Sequence, residues 1–264
     1  MRRSELNFER LPLVSGVSHD ASGDGVVLSQ RPGMFQILLS AHPDGVGNSY
    51  LLVIPPGKCA HATQKSAPVT NQLYVREEAV LLSGSQNTKP FVLPLYEKAY
   101  RTCIDNGSAR LLASLMNRIL GAQESRMSQE RLLGLLKVLF VSVGRHYLHS
   151  LSLDESPELR LFIQFNALVI NQQHRKRSVS EYALALSVGT GLLNNALQKV
   201  SGMTASQIID YHIICEAKRA VITTDYPMKK IAADLRFDDL AHFSKFFRVR
   251  SGMTYSNFER AYAL

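Results

Sequence analysis

The feature that most constrains this chain is an internal repeat. Ser201-Gly202-Met203-Thr204 recurs as Ser251-Gly252-Met253-Thr254, fifty residues later. The residues before each copy correspond as well, Leu193 with Phe243 and Leu197 with Phe247. A repeat of this kind means that one supersecondary unit is built twice. Each copy reads as helix, turn, helix. In the first, Ser178-Val179-Ser180-Glu181 has the form of a capping box and opens a helix running through Leu186. A polar turn over Ser187 to Thr190 follows, then a helix from Gly191 to Val200 that Gly202 stops. In the second, Pro227 precedes a helix from Met228 to Leu235. Asp238 is expected to cap the next helix, which turns Leu240, Phe243, Phe246 and Phe247 inward and ends at Gly252.

Between the copies, Ala205 to Thr223 predicts one long amphipathic helix with Ile209, Ile213, Ala217 and Ala220 as its apolar stripe. A helix of some 20 residues spans roughly 30 Å. That is close to the roughly 34 Å between successive major-groove faces of a duplex. Two helices joined by a short turn place the second in the major groove, so one chain would present two reading helices to one side of DNA. Charge points the same way. The chain carries a formal charge of +8. From Ser156 onward there are 14 Lys and Arg against 9 Asp and Glu, and 16 against 13 in the longer remainder. A basic domain invites an anionic partner, although a solvated basic surface explains the number equally well.

The stretch from about Phe162 to Tyr262 resembles the DNA-binding domain of the AraC/XylS family of bacterial transcription regulators. The residues that carry the resemblance are Glu216-Ala217-Lys218-Arg219-Ala220, then Ile231-Ala232-Ala233-Asp234-Leu235-Arg236-Phe237-Asp238-Asp239-Leu240-Ala241-His242-Phe243-Ser244-Lys245-Phe246-Phe247, then Gly252. The chain departs from the family where Arg236 replaces a usual glycine, Tyr255 a usual proline, and Gly191 a usual bulky residue. The resemblance implies DNA-contacting positions at Thr190, Asn194, Asn195, Gln198 and Lys199 in the first unit. In the second it implies Leu240, Ala241, Ser244, Lys245 and Arg248. Asn and Gln pair bidentately with adenine, Lys reaches guanine acceptors, and Leu or Ala meets a thymine methyl. Lys199, Arg248 and Arg250 suit phosphates, which position the protein without specifying sequence. Taken singly, each of these is as well read as a solvated residue on a surface helix. The phenylalanines are expected to be core.

The N-terminal region has a different texture. Short apolar runs (Val26-Val27-Leu28, Phe35 to Leu39, Tyr50 to Ile54, Ala79 to Leu82) alternate with Arg-Pro-Gly at 31–33, His-Pro-Asp-Gly at 42–45 and Pro-Pro-Gly at 55–57. This spacing predicts an antiparallel barrel or sandwich. The residues Val53 to His61 resemble the strand and turn of the cupin-like ligand-binding domain common in the same family. Helical periodicity then takes over from about Leu95 to Leu153. Leu111, Leu112, Leu115 and Ile119 form one stripe, and Leu132, Leu135, Leu136, Leu139 and Val143 another.

Other chemistries find little support. His19, His42 and His61 are widely separated and include no His-x-His pair, so no metal is expected. No nucleophile constellation, P-loop or dinucleotide fingerprint appears, and neither enzyme activity nor a cofactor is expected. Cys59, Cys103 and Cys215 are odd in number and scattered, which fits a reducing cytoplasm. Cys59 and Cys103 read as redox-sensing thiols or, more commonly, as small hydrophobes. The basic run Arg175-Lys176-Arg177 reads better as a solvated loop than as a phosphate clamp. No stretch suits a membrane helix, and the N-terminus has no secretory signal.

The whole reads as an α+β chain in three parts. Residues 1–93 form a cupin-like β-barrel and 94–156 a helical, dimerising segment. Residues 157–264 form an all-α domain with two helix-turn-helix units. The family resemblance implies double-stranded promoter or operator DNA and RNA polymerase as partners. The two apolar stripes predict contact with a second copy of the chain, with packing on the barrel and on each other as the alternative. Control by a small-molecule effector on the N-terminal domain stands beside control by a protein partner or by expression level.

Overall fold

The computed structural model describes residues 14–17, 33–40, 49–58, 69–83, 92–96, 99–124, 129–150, 156–171 and 178–262. The run at Val26 to Leu28, the histidines 19, 42 and 61, Cys59 and the basic run at 175–177 lie outside them. The chain divides into two compact units, Leu11–Asp154 and one containing Glu155–Leu264.

In the first unit the described strands are β1 (Val14–Val17), β2 (Met34–Ser40), β3 (Ser49–Ile54), β4 (Val69–Arg76) and β5 (Tyr100–Ile104). They form one antiparallel sheet in the order β1-β4-β2-β3-β5. Alternation puts Phe35, Ile37 and Leu39 on one face with Leu51, Val53, Leu73 and Val75, all buried. The α-helices described in the same unit are α1 (Glu77–Ser83), α2 (Asn106–Glu124) and α3 (Gln129–Ser150). Phe35 meets Phe140 of α3 edge-on at 5.3 Å between ring centroids, and the Tyr100 hydroxyl donates to the Val143 carbonyl at 3.0 Å.

Two expectations change here. The sheet is open among the described residues, with β1 and β5 at its edges, rather than closed as a cupin-like barrel. Ala79 to Leu82, read as a strand, belong to helix α1. A four-residue apolar run does not distinguish a strand from a buried helical turn, and Glu77 and Glu78 in the first turn favour the helix. At Pro55 to Lys58 the turn forms as its residues dictate: Lys58 N donates to the Pro55 carbonyl at 3.1 Å, with Gly57 at φ 71°.

The second unit is helical: α4 (Pro157–Asn171), α5 (Val179–Ala185), α6 (Thr190–Ser201), α7 (Ala205–Thr223), α8 (Met228–Asp234), α9 (Leu240–Ser251) and α10 (Tyr255–Tyr262). The Ser178–Glu181 capping box forms in full. The second reading helix is capped by Asp239 rather than Asp238; the Asp239 carboxylate accepts from Ala241 N at 3.0 Å and His242 N at 3.2 Å. Helix α7 has the predicted bounds and buries Ala217 of the predicted stripe, but its buried residues extend well beyond that stripe. Ile208, His212, Cys215 and Val221 are inside, whereas Ile209 and Ile213 are half-buried. Helices pack on α7 from more than one side, so no single amphipathic stripe describes it.

The repeated tetrapeptide is a helix corner. Gly202 and Gly252 adopt the left-handed conformation at φ 68° and 78° and close α6 and α9. Two residues on, Thr204 and Thr254 accept from the backbone of Gln207 and Asn257 and start the next helix. The turn inside each helix-turn-helix has its own left-handed residue, and neither is glycine: Ser187 at φ 56° and Arg236 at φ 63°. Both turns close the same way. Val188 N donates to the Ala183 carbonyl and Ser187 N to Leu184 in the first. Phe237 N donates to Ala232 and Arg236 N to Ala233 in the second. This is the Schellman pattern, in which glycine is favoured at the residue that Ser187 and Arg236 occupy.

A left-handed L-residue costs about 1–2 kcal/mol, partly offset by the entropy that glycine loses on folding. Arg236→Gly and Ser187→Gly are therefore each expected to stabilise the helical unit by about 0.5–1 kcal/mol. Gly202→Ala is expected to destabilise it by about 1 kcal/mol. Thermal melts followed by far-ultraviolet circular dichroism check all three; a lower melting temperature for Arg236→Gly contradicts the account.

Candidate nucleic-acid interface

Helices α6 and α9 occupy equivalent places in the repeat, and each has one apolar row inside. Leu193, Leu197 and Val200 of α6, and Phe243 and Phe247 of α9, are fully buried. At 100° per residue, the positions opposite these rows are Gly191, Asn195 and Gln198 on α6 and Ala241, Lys245 and Arg248 on α9. All six are exposed. Thr190 and Leu240 are the equivalent first residues of the two helices, both exposed, with Leu240 at 41%. Asn194 and Ser244 are half-buried on the flanks. The outward face is neutral on α6 and carries two cations on α9.

The folded chain already gives three of the predicted polar residues partners. The Asn194 carbonyl oxygen accepts from Ala205 N at 2.9 Å, so it caps the start of α7 and turns away from the face that Asn195 occupies. Lys199 Nζ donates to Glu158 Oε1 on α4 at 2.7 Å. Arg250 is paired with Asp210 on α7. Lys245 and Arg248, by contrast, have no acidic partner among the described residues.

The Lys199 pairing leaves a signature in its partner. The Lys199 ammonium, helped by its own backbone, holds the Glu158 carboxyl below the usual range. On α8, Asp234 and Lys230 pair at 2.7 Å, an i,i+4 contact that raises the Lys230 ammonium. The fully buried phenylalanines are packing and not base platforms. Phe243 lies 5.1 Å from Phe237 and 6.0 Å from Phe247 between ring centroids. His242, expected to pack at the edge of that helix, has its ring edge-on to Phe237 at 5.3 Å.

Sequence reasoning missed Asp239, Glu158 and the capping role of Asn194. The repeat held a signal for the first. An offset of fifty pairs Asp239 with Gly189, the residue that precedes α6. Glu158 gave no local signal, because its partner is 41 residues away. No group of three or more His, Cys, Asp or Glu that would hold a metal ion occurs among the described residues. No described helix is long and apolar enough to cross a membrane.

Comparison with known proteins bears on this region. Residues 182–261 match a family model described as a helix-turn-helix domain. Among solved structures, the chain is similar to the C-terminal domain of the two-component response regulator yesN from Fusobacterium nucleatum, with 18% identity, 36% of this chain and 93% of that chain covered, and a TM-score of 0.34. It is also similar to ToxT from Vibrio cholerae, with 14% identity, 88% and 91% covered, and a TM-score of 0.44. A third is the C-terminal domain of AraT, a response regulator from Geobacillus stearothermophilus, with 17% identity, 41% and 88% covered, and a TM-score of 0.38. No curated protein sequence matches the chain.

The two asparagines of α6 are separable by experiment. Asn194→Ala removes a cap on α7 and is expected to cost about 0.5–1.5 kcal/mol of stability. Asn195→Ala removes no contact and is expected to leave the melting temperature unchanged. Equal melting temperatures for the two variants contradict the assignment of Asn194 as a cap.

Proposed function

We propose that this chain, whose residues 182–261 match a helix-turn-helix domain, is an AraC/XylS-type transcription regulator that places α6 and α9 in successive major grooves of one promoter duplex. The observation that carries this is the pair of outward faces at equivalent positions of a repeat, joined by one 19-residue helix. Such a helix is about 28 Å long, which leaves the packing of α6 and α9 at its two ends to make up the roughly 34 Å of one turn of DNA.

The two faces divide the work. On α6, Asn195 and Gln198 read bases through their amides, with Thr190 beside them. On α9, Lys245 reads a guanine edge, Leu240 and Ala241 meet a thymine methyl, and Arg248 neutralises a phosphate. Ser244 contributes at the flank, and Asn194 acts through the position of α7. The activity is binding, not catalysis.

The first unit is the sensor and the dimerising element. Its sheet has a second buried face, away from α3, and that face is not purely apolar. Gln36 and Gln72 both donate to the Tyr74 hydroxyl, at 3.2 and 2.6 Å, and Gln36 and Tyr74 are buried. A polar cluster on an inner sheet face supports a small-molecule effector there. Leu111 on α2 and Val138 on α3 are 57% and 50% exposed. They support contact with a second copy of the chain through these helices. RNA polymerase is the proposed protein partner, and the cytoplasm the place of action.

The test is a paired scan of the full chain on duplexes enriched from genomic DNA. Lys245→Ala with Arg248→Ala is expected to lower affinity and to flatten the dependence of log K on log salt by about 0.9 per lost phosphate contact. Lys245→Ala alone should relax preference at one base pair by about 1–3 kcal/mol. Asn195→Ala with Gln198→Ala should relax sequence preference and leave the salt slope in place. A chain with no salt-dependent duplex binding contradicts the function itself. For the dimer, sedimentation of the full chain at micromolar concentration should show two copies, and Leu111→Glu with Val138→Glu should show one.

A further inference from the structure

Lys199 is the only charged residue of α6, and it is held by an acid on another helix. That acid, Glu158, is the second residue of α4 and stands in its first turn. The turn is capped by Ser156, whose hydroxyl oxygen accepts from Leu159 N at 3.0 Å. A carboxylate in the first turn is favoured by the unpaired N–H groups of the helix end. Glu158 is thus held in place by its own helix as well as by Lys199.

The second unit has no counterpart. At an offset of fifty, Val249 stands where Lys199 stands, and it is 65% exposed. The outward cations of α9, Lys245 and Arg248, face no acid among the described residues. Arg250 at the end of α9 is paired with Asp210, but the outward positions of α9 keep two cations with no described acid beside them, whereas the single charged residue of α6 is paired.

We infer that Glu158 is a fixed intramolecular competitor for the DNA backbone at Lys199, and so a specificity-determining residue of the first helix-turn-helix unit. The inference rests on the proposed DNA-binding function and adds a control to it. A phosphate that approaches α6 meets an ion pair already made, and gains from Lys199 only by displacing Glu158. Attraction of the first unit to arbitrary DNA is thereby reduced. Its binding then depends on the amides of Asn195 and Gln198, which gain only from the right base edges. The second unit anchors and the first discriminates.

The experiment uses the full chain, an enriched operator duplex and a duplex of random sequence, with affinity measured across a salt series. Glu158→Gln is expected to tighten binding to the random duplex about two- to fivefold, the range of an exposed ion pair. It should also steepen the salt slope by about 0.9, one added phosphate contact. The operator should gain less, so the ratio of the two affinities falls. Lys199→Ala in the otherwise unchanged chain should alter little. The double variant Glu158→Gln with Lys199→Ala should return both affinity and slope to their starting values. A Glu158→Gln chain with unchanged slope and ratio overturns the inference, as does a gain that persists without Lys199. A Lys199→Ala chain that loses as much affinity as Glu158→Gln gains overturns it too, because net charge alone would give that result. Glu158→Ala, with circular dichroism, is the second route should glutamine disturb α4, and the same outcomes decide it. If the unsubstituted chain binds no duplex in a salt-dependent way, the function falls and this inference with it. If it binds and only the Glu158 outcomes fail, the function stands alone.

Discussion

The helical unit depends on the burial of α7. Ala205, Ile208, Ala217 and Val221 are inside it, and helices from both halves of the repeat pack there. A helix covered this widely has little freedom to rotate, because each rotation would expose apolar area worth about 25 cal/mol per Å². What fixes its start is the corner at Gly202, where a left-handed residue ends α6 and Thr204 begins α7 within two residues. The same corner at Gly252 begins α10, which returns Tyr255 and Phe258 to the core. The repeated tetrapeptide is thus a fold device and makes no statement about what the reading helices touch.

Polar contacts then refine what the core permits. Asn194 ties α6 to the first N–H of α7, and Asp210 ties α7 to the end of α9. His212 inside α7 meets Asn166 of α4 at 2.8 Å, and Asn166 donates in turn to the Phe162 carbonyl. Exposed ion pairs of this kind contribute at most about 1 kcal/mol each, whereas a buried hydrogen bond left unmade costs about 1–3 kcal/mol. The buried His212–Asn166 contact therefore constrains the seat of α4 on α7 more strongly than the surface pairs constrain the reading helices. Glu158 belongs to that same helix α4, so the acid beside α6 is placed by core packing.

Much of the second unit was legible because its signals are local. Capping residues, left-handed glycines and four-residue apolar spacing gave the bounds of α5, α6, α7 and α8 to within a residue or so. Arg236, where the family has glycine, stands at a positive φ, so the departure is one of side chain with the backbone kept. What was not legible depends on contacts distant in sequence. The stripe of α7 was right at Ala217 and too narrow elsewhere, because its burial comes from several neighbours, and Lys199 looked free because Glu158 lies 41 residues away. In the first unit, short apolar runs between turn residues identified strands β2 and β3 but could not decide whether the sheet closes, since closure depends on register and shear across the whole sheet. The run Ala79 to Leu82 had no periodicity long enough to separate helix from strand.

The repeat also constrains the kind of site such a domain can read. Its two copies share the corner and the buried rows, yet differ at every outward position: Gly191 against Ala241, Asn195 against Lys245, Gln198 against Arg248. Amides favour adenine, whereas Lys and Arg favour guanine acceptors or phosphates. Two reading helices with the same orientation in the chain and different chemistry cannot prefer the same half-site, so under the proposed roles one protomer reads two unlike boxes in a fixed order. The anchoring cations lie on the second helix and the neutral amides on the first, which gives the bound chain a direction along the duplex. Under the same proposed roles a palindrome would have to come from a second copy of the chain, because the outward faces of α6 and α9 differ at each of these three pairs.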